Sequence, residues 1–278
     1  MSAALTPWLG RWGLTLDGAS PERRYKGAGD TGQVAFVRRG EERLVLKLLP
    51  AGSDEWLSGA ALAHWAGEGA ARLVEASEGA ILMERAIPGE ELVGLTPSRD
   101  DEATLIACEL MAKLNRPAPP PEAGFRRIED WGRGFARNRP AALAAGMDAA
   151  LIDRAEARFF ELCASQAPPI LLHGDFQHYN IIRDARRGWL AIDPKGILGE
   201  PAYEAGALLR NPIADWPADP AVVDRRGRLI ADRLGYPLNR LIGWTFAQWV
   251  LSVLWAIEDG MTFAPSWLVG PRAAEALL

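Results

Sequence analysis

The stretch that most constrains this chain is Leu171–Asp193, LLHGDFQHYNIIRDARRGWLAID. Apolar Pro169–Leu172 suits a buried strand, and His173-Gly174-Asp175 interrupts it. Ile181-Ile182 resumes an extended run, Asp184–Gly188 is a charged turn, and Trp189–Ile192 is apolar again up to Asp193. The pattern is a strand, a polar loop and a hairpin carrying three oxygen-bearing side chains at fixed offsets. Asn180 follows Asp175 by five residues and Asp193 follows it by eighteen. Turn chemistry explains an Asp or Asn in a loop. It does not require all three at these offsets.

Phosphoryl transfer from a nucleoside triphosphate asks for this set of groups. One carboxylate orients and partly deprotonates the attacking hydroxyl, while an amide oxygen and a second carboxylate hold Mg2+ against the phosphates. Protein kinases space their catalytic-loop Asp and Asn five residues apart and place the metal-binding Asp after the next hairpin. Here His-Gly-Asp stands where kinases have His-Arg-Asp, and Ile-Asp-Pro where they have Asp-Phe-Gly. Asp175 is therefore expected to orient the acceptor hydroxyl, and Asn180 and Asp193 to ligate the metal. His173 is expected to fix the loop by hydrogen bonding. His178 either faces substrate or packs, and Lys195 either reaches the phosphates or sits on a surface turn; neither is counted as catalytic.

Upstream, the apolar runs Trp12–Leu16, Gln33–Val37 and Arg43–Leu49 predict an antiparallel meander. Gly27-Ala28-Gly29-Asp30-Thr31-Gly32 lies between the first two. It reads either as a loop laying backbone N–H groups over phosphates or as a plain surface turn. Lys47 interrupts an otherwise apolar strand. It reads as the lysine that contacts the α/β-phosphates or as an edge-strand lysine facing water. The catalytic-loop spacing favours the first.

The runs HGDFQHYNII and RRGWLAIDPKGILGEPAYEAGALLRNP resemble the aminoglycoside phosphotransferases, specifically the streptomycin 6-kinase and hydroxyurea phosphotransferase branch. DEWLSGAALAHWAGEGAARLV, ILMERAIPGEEL and ELMAKL share the likeness, which covers most of the chain and is least specific in the first and last forty residues. The resemblance implies an α+β, bilobal protein-kinase-like fold. Residues 1–87 are expected to form a β-rich nucleotide-binding lobe, and 88–278 a mainly helical catalytic and substrate-binding lobe. It implies ATP and Mg2+ as cofactors, with Lys47 paired to Glu55 at the opening of a helix over Asp54–Trp65, or to Glu68 in the next turn. It also implies a hinge after the strand Ala80–Arg85, where the backbone around Glu84 and Ala86 binds adenine. The expected reaction is O-phosphorylation of a small hydroxylated molecule, a streptomycin-type aminoglycoside at its 6-hydroxyl, which inactivates the antibiotic. Hydroxyurea or an unrelated metabolite is the alternative acceptor, and a nucleotide-binding scaffold without catalysis is the alternative class. Aminoglycosides are polycations, and carboxylates are their natural partners. The candidates are Glu200, Glu204, Asp215 and Glu258, with Asp219 and Asp259 beside them.

Composition narrows the partners. Of 278 residues 49% are hydrophobic and 24% charged, and the net charge of −5 disfavours nucleic acid and anionic membrane. Cys108 and Cys163 fall in helical patterns and read as buried thiols, and the three histidines lack a zinc spacing. Leu241–Ile257 carries no charge, yet it is shorter than the roughly 20 residues of a membrane span. A buried helix is expected there, with Trp244, Trp249 and Trp255 as packing residues. The N-terminus shows no secretory pattern, and a cytoplasmic location is expected. Further helices are predicted from a capping box at Ser98-x-x-Asp101 through Leu114, and over Glu129–Arg139, Asp148–Gln166, Ala202–Arg210, Val222–Leu234 and Pro237–Asp259.

Overall fold

A computed structural model describes residues 4–18, 33–212 and 216–278. The N-terminal part contains α1 (Thr6–Arg11), β1 (Thr15–Leu16), β2 (Val34–Arg39), β3 (Glu42–Leu48), α2 (Ser58–Trp65), β4 (Leu73–Ser77) and β5 (Ala80–Glu84). The strands form one antiparallel sheet in the order β1-β2-β3-β5-β4. Alternation along β3 sends Leu44 and Leu46 to one face, where they are fully buried with Ala35, Val37, Ala80 and Leu82 beneath Leu5, Trp12 and Leu14. The same alternation sends Lys47 to the opposite face, so the pleat itself aims the lysine at the cleft.

The predicted helix over Asp54–Trp65 begins four residues later. Residues 54–57 form turns closed by Trp56 N–H to Ser53 O and Ser58 N–H to Glu55 O, and α2 starts at Ser58. Glu55 thus sits on a turn, and two glycines, Gly67 and Gly69, at φ +87° and +76°, reverse the chain after α2.

β6 (Pro88–Glu91) then pairs with β9 (Ile181–Asp184), which in turn pairs with β10 (Gly188–Ala191). Between β6 and β9 come α3 (Asp100–Leu114), β7 (Arg126–Arg127), α4 (Ile128–Ala144), α5 (Ala149–Ala164) and β8 (Ile170–Leu172). No capping box forms at Ser98; α3 begins at Asp100, with three acids in its first turn favoured by the helix dipole. Asp148 does cap α5, accepting from Ala150 N–H at 3.0 Å. β11 (Ile197–Gly199) lies between β7 and β8. The chain ends in α6 (Ala205–Leu209), α7 (Pro220–Leu234), α8 (Leu238–Glu258) and α9 (Val269–Glu275).

α8 is the axis of the helical part, packing on α4, α5, α6, α7 and α9. Its Trp244 is fully buried, edge-on to Phe159 at 5.2 Å and to Tyr203 at 5.0 Å. Trp249 and Trp255 join the same core from its margin. By length and composition α8 is the one described helix able to cross a membrane, and 67% of its apolar window is buried inside the protein. Cys108 is buried and Cys163 half-buried, both as free thiols; burial pushes each thiol up to about 12.

Candidate active site

β8 delivers the chain to the loop, and β9 and β10 return it. Their register, Leu190 opposite Ile182 and Ala191 opposite Ile181, brings Asp193 back beside Asn180, where Ile192 N–H donates to Asn180 O at 2.9 Å. The eighteen-residue separation in sequence thus becomes adjacency in space. Asp193 adopts φ +58°, one of two non-glycine residues with positive φ among those described. That conformation costs about 1–2 kcal/mol, and such strain collects at functional sites.

Lys47 Nζ stands 2.7 Å from Asp193 Oδ1 and 2.9 Å from Glu55 Oε2, with the lysine 1% exposed. Burial alone lowers an ammonium pKa; here Asp193 and Glu55 outweigh it and hold the group above its ordinary value. Of the two candidate partners, Glu55 makes the contact.

Asn180 Nδ2 donates to Asp175 O at 2.8 Å and Oδ2 at 3.1 Å, and Gln177 Nε2 approaches both Asp175 carboxylate oxygens at 3.4 Å. Burial raises the Asp175 carboxyl, but the charges of Lys195 and Arg210, with the Gln177 hydrogen bond, prevail and keep it below the usual aspartate value. The ionised form is the one a hydroxyl-orienting group needs. With its amide nitrogen turned to Asp175, Asn180 leaves its carbonyl oxygen for a cation, and Asp193 keeps one oxygen besides that facing Lys47. No cluster of three or more His, Cys, Asp or Glu side chains capable of holding a metal occurs among the described residues. Two hard oxygen donors fit Mg2+, which takes its remaining ligands from phosphates and water.

His173 is fully buried. Its Nε2 lies 2.8 Å from Ile192 O, its Nδ1 accepts from Asp175 N–H at 3.3 Å, and its ring stacks at 6.4 Å on Trp65. Burial drives its pKa down, so it serves as a neutral brace, as expected from the sequence. His178 packs: it is fully buried, its ring nitrogens have no hydrogen-bond partner, and burial lowers its pKa to about 3.

The structure corrects two of the acids expected to face the acceptor. Glu204, 6% exposed, lies under the loop and accepts the backbone N–H groups of His173 at 2.5 Å and Gly174 at 3.0 Å. Burial raises its pKa to about 7 despite those bonds. Glu200, 2% exposed, accepts from Arg240 Nε at 2.7 Å, from Ala167 N–H at 3.3 Å and from Trp244 Nε1. Both lie in a nearly unbroken apolar run, Gly196–Leu209. A carboxylate in such a run is buried and must be met by donors, and that is the signal the sequence offered. Glu258 closes α8 half-exposed, gripped by Arg137 at 2.7 and 2.9 Å and Asn138 at 2.9 Å. Asp215 lies outside the described residues, as does the glycine-rich turn 27–32.

At the hinge, the Glu84 carboxylate accepts from Arg72 N–H at 2.7 Å and pairs with Arg187, so its side chain belongs to the frame. Ala86 is buried at 8% exposure. The next residue, Ile87, donates to Asp184 Oδ2 at 3.1 Å and accepts from Ala185 N–H at 2.7 Å. Arg187 also donates to Gly67 O and Ala70 O, which stitches the β9–β10 turn to the segment after α2.

Sequence reasoning missed a second anchor. Arg226 of α7, fully buried, makes a two-point pair with Asp100 at 2.6 and 2.9 Å and donates to Asn211 O at 2.7 Å and Leu208 O at 3.2 Å. The charges of the pair also act on the buried His178 ring in opposite senses, Arg226 lowering its pKa and Asp100 raising it.

A two-part fold with these carboxylates, amide and lysine at its junction defines a kinase-like phosphotransferase. The chain belongs to the family described as aminoglycoside/hydroxyurea antibiotic resistance kinases, whose model matches residues 21–260. It is 34% identical to a streptomycin 3″-kinase of Klebsiella pneumoniae, over 81% of this chain and 84% of that protein. It is 31% identical to a streptomycin 6-kinase of Streptomyces glaucescens, over 94% and 84% respectively. In fold it matches a thermostable aminoglycoside phosphotransferase crystallised with ADP and hygromycin B, with a TM-score of 0.69, 16% identity and coverage of 99% and 98% of the two chains.

Proposed function

We propose that this protein phosphorylates a streptomycin-type aminoglycoside at its 6-hydroxyl, using ATP and Mg2+, and thereby inactivates the antibiotic in the cytoplasm. The observation that carries the reading is the convergence of Lys47, Glu55 and Asp193 on one buried ammonium, next to the Asp175–Asn180 pair. Asp175 would accept a hydrogen bond from the acceptor hydroxyl and hold it in line with the γ-phosphate. Lys47, positioned by Glu55, would contact the α/β-phosphates, and the backbone around Glu84 and Ala86 would receive the adenine. Asn180 and Asp193 would hold Mg2+, which when bound neutralises charge on the phosphates. For the acceptor's positive charges, Glu258 and Asp215 remain the proposed partners.

We place the lobe boundary between residues 87 and 88. In support, the five-stranded sheet ends with Glu84, while Pro88–Glu91 pairs with the hairpin strand β9.

The 3″-hydroxyl is a second reading, favoured by the 34% identity to a 3″-kinase. The family also includes hydroxyurea in its description. The test is mass spectrometry and 31P NMR of products formed with Mg-ATP from streptomycin, other aminoglycosides and hydroxyurea, alongside Asp175→Asn. Phosphate on the streptomycin 6-oxygen, made only by the unaltered protein, is the expected result. Phosphate at the 3″-oxygen transfers the assignment to that position. ATP-analogue binding with no product from the panel would reject the antibiotic reading.

A further inference from the structure

Lys195 follows the metal motif by two residues, and its main chain is fixed: its N–H donates to His173 O at 2.8 Å. Its side chain is held differently. The ammonium sits over the Trp131 ring, 5.7 Å from the centroid, and 3.5 Å from Asp54 Oδ2. An ion pair open to solvent contributes little, and a solvated cation–π contact is of similar weakness. Both contacts are weak enough for another cation to replace.

The ring beneath it is rigid by comparison. Trp131 is half-buried, edge-on to Trp255 at 5.7 Å and to Tyr203 at 6.4 Å. Its outer edge lies against Gly174, where an added Cβ would come within 3.0 Å of Trp131 Cη2. The edge of the ring therefore adjoins the residue preceding Asp175. Asp54, which completes the site from the turn before α2, is adjacent in sequence to Glu55, the partner of Lys47. Consecutive carboxylates thus hold two lysines, one buried against Asp193 and one partly exposed over Trp131.

We infer that the Trp131 face and Asp54 form the subsite for a guanidinium or ammonium group flanking the acceptor hydroxyl, and that Lys195 occupies it as an internal surrogate that the acceptor's cation must displace. The inference rests on the small-molecule kinase reading for its acceptor, and on the Trp131–Lys195–Asp54 geometry for the site. It makes Lys195 a specificity-determining residue. A cationic acceptor trades its own charge for that of Lys195 on the ring. A neutral acceptor has nothing to exchange and leaves the lysine in place.

The test uses the full chain and methylguanidinium as the probe. The Trp131 indole N–H resonance is assigned by its loss in Trp131→Phe, then followed by NMR during titration of the unaltered protein, Lys195→Gln and Lys195→Ala. Thermal melting confirms that each variant is folded. In both lysine variants the Trp131 resonance is expected to move at a severalfold lower probe concentration than in the unaltered protein. Equal midpoints, or no movement of Trp131 in any of them, would overturn the inference. In parallel, the ratio of the KM for hydroxyurea to the KM for streptomycin should rise severalfold in Lys195→Gln; the ratio cancels any loss, common to both acceptors, from removing a charge that helps keep Asp175 ionised. A ratio that falls in that variant makes Lys195 a contact of the cationic substrate and rejects the surrogate role. Displacement by methylguanidinium without phosphorylation of streptomycin leaves the subsite standing and rejects the acceptor assignment instead.

Discussion

Lys47 and Asp193 are 146 residues apart in sequence and 2.7 Å apart in the fold. The pair joins the central strand of the N-terminal sheet to the end of the catalytic hairpin, and it does so on a carboxylate proposed to hold the metal. Removing the ammonium leaves Asp193 and Glu55 facing one another without a counter-charge. Loss of one partner from a fully buried pair costs about 3–5 kcal/mol. Both carboxylates here are partly solvated, so Lys47→Met is expected to cost less, about 1–3 kcal/mol, in urea denaturation. It should also abolish binding of an ATP analogue measured by calorimetry. Unchanged nucleotide affinity would remove Lys47 from the phosphate site.

Glu204 gives a prediction that combines geometry with pH. Its two oxygens accept two main-chain N–H groups. In Glu204→Gln one amide N–H2 must face a donor, at a cost of about 1–3 kcal/mol. The kcat should fall with little change in KM, because the loop moves while the acceptor surface stays. The sign of the pH effect follows from the raised pKa. The folded protein holds this proton up to about pH 7, whereas the unfolded chain releases it near the ordinary glutamate value of 4.5. The contribution is therefore fully present below pH 4.5 and is lost as pH rises toward 7. The stability difference between unaltered protein and variant should change across that window and level off above it. A pH-independent difference would rule out the coupling.

Arg226 and Asp100 form a fully buried charge pair, so the pair and its halves should behave differently. Arg226→Met leaves Asp100 with only Arg225 and is expected to cost about 3–5 kcal/mol. Adding Asp100→Leu should recover part of that loss, since an apolar pair of similar volume replaces the ion pair. A double mutant less stable than either single variant would contradict this.

The Arg187 contacts predict a local effect. Arg187→Ala frees Gly67 O, Ala70 O and Glu84 together. Amide exchange of Gly69–Arg72 and of the β9–β10 hairpin should accelerate by at least tenfold, with exchange in α8 unchanged. Uniform acceleration would mean global destabilisation instead.

What the sequence made legible was local or periodic. Asp175, Asn180 and Asp193 declared themselves by spacing, because one loop and one hairpin set their geometry. Lys47 stood out as a charge in an apolar strand. Helices α5, α7 and α8 were bounded within two residues by their periodicity, but their caps were not read: Asp148 caps α5, and Asp219, expected beside the acceptor acids, caps α7 by accepting from Ala221 N–H at 2.8 Å. Glu204, Arg226–Asp100 and Lys195–Trp131 stayed hidden because each depends on a partner more than thirty residues away, and no local pattern names that partner. Glu200 and Glu204 were taken for acceptor contacts because charge was weighed without burial. The apolar neighbours of both argued the other way.

Glu204 holds its loop by main-chain atoms alone. Such a grip is indifferent to the side chain that the partly exposed Tyr179 presents, and a substitution there leaves the two N–H anchors intact. Asp175 can therefore keep its position while the surface around it changes. A resistance enzyme built this way can drift from one antibiotic to another by altering the rim of its cleft, without rebuilding the loop that performs the transfer.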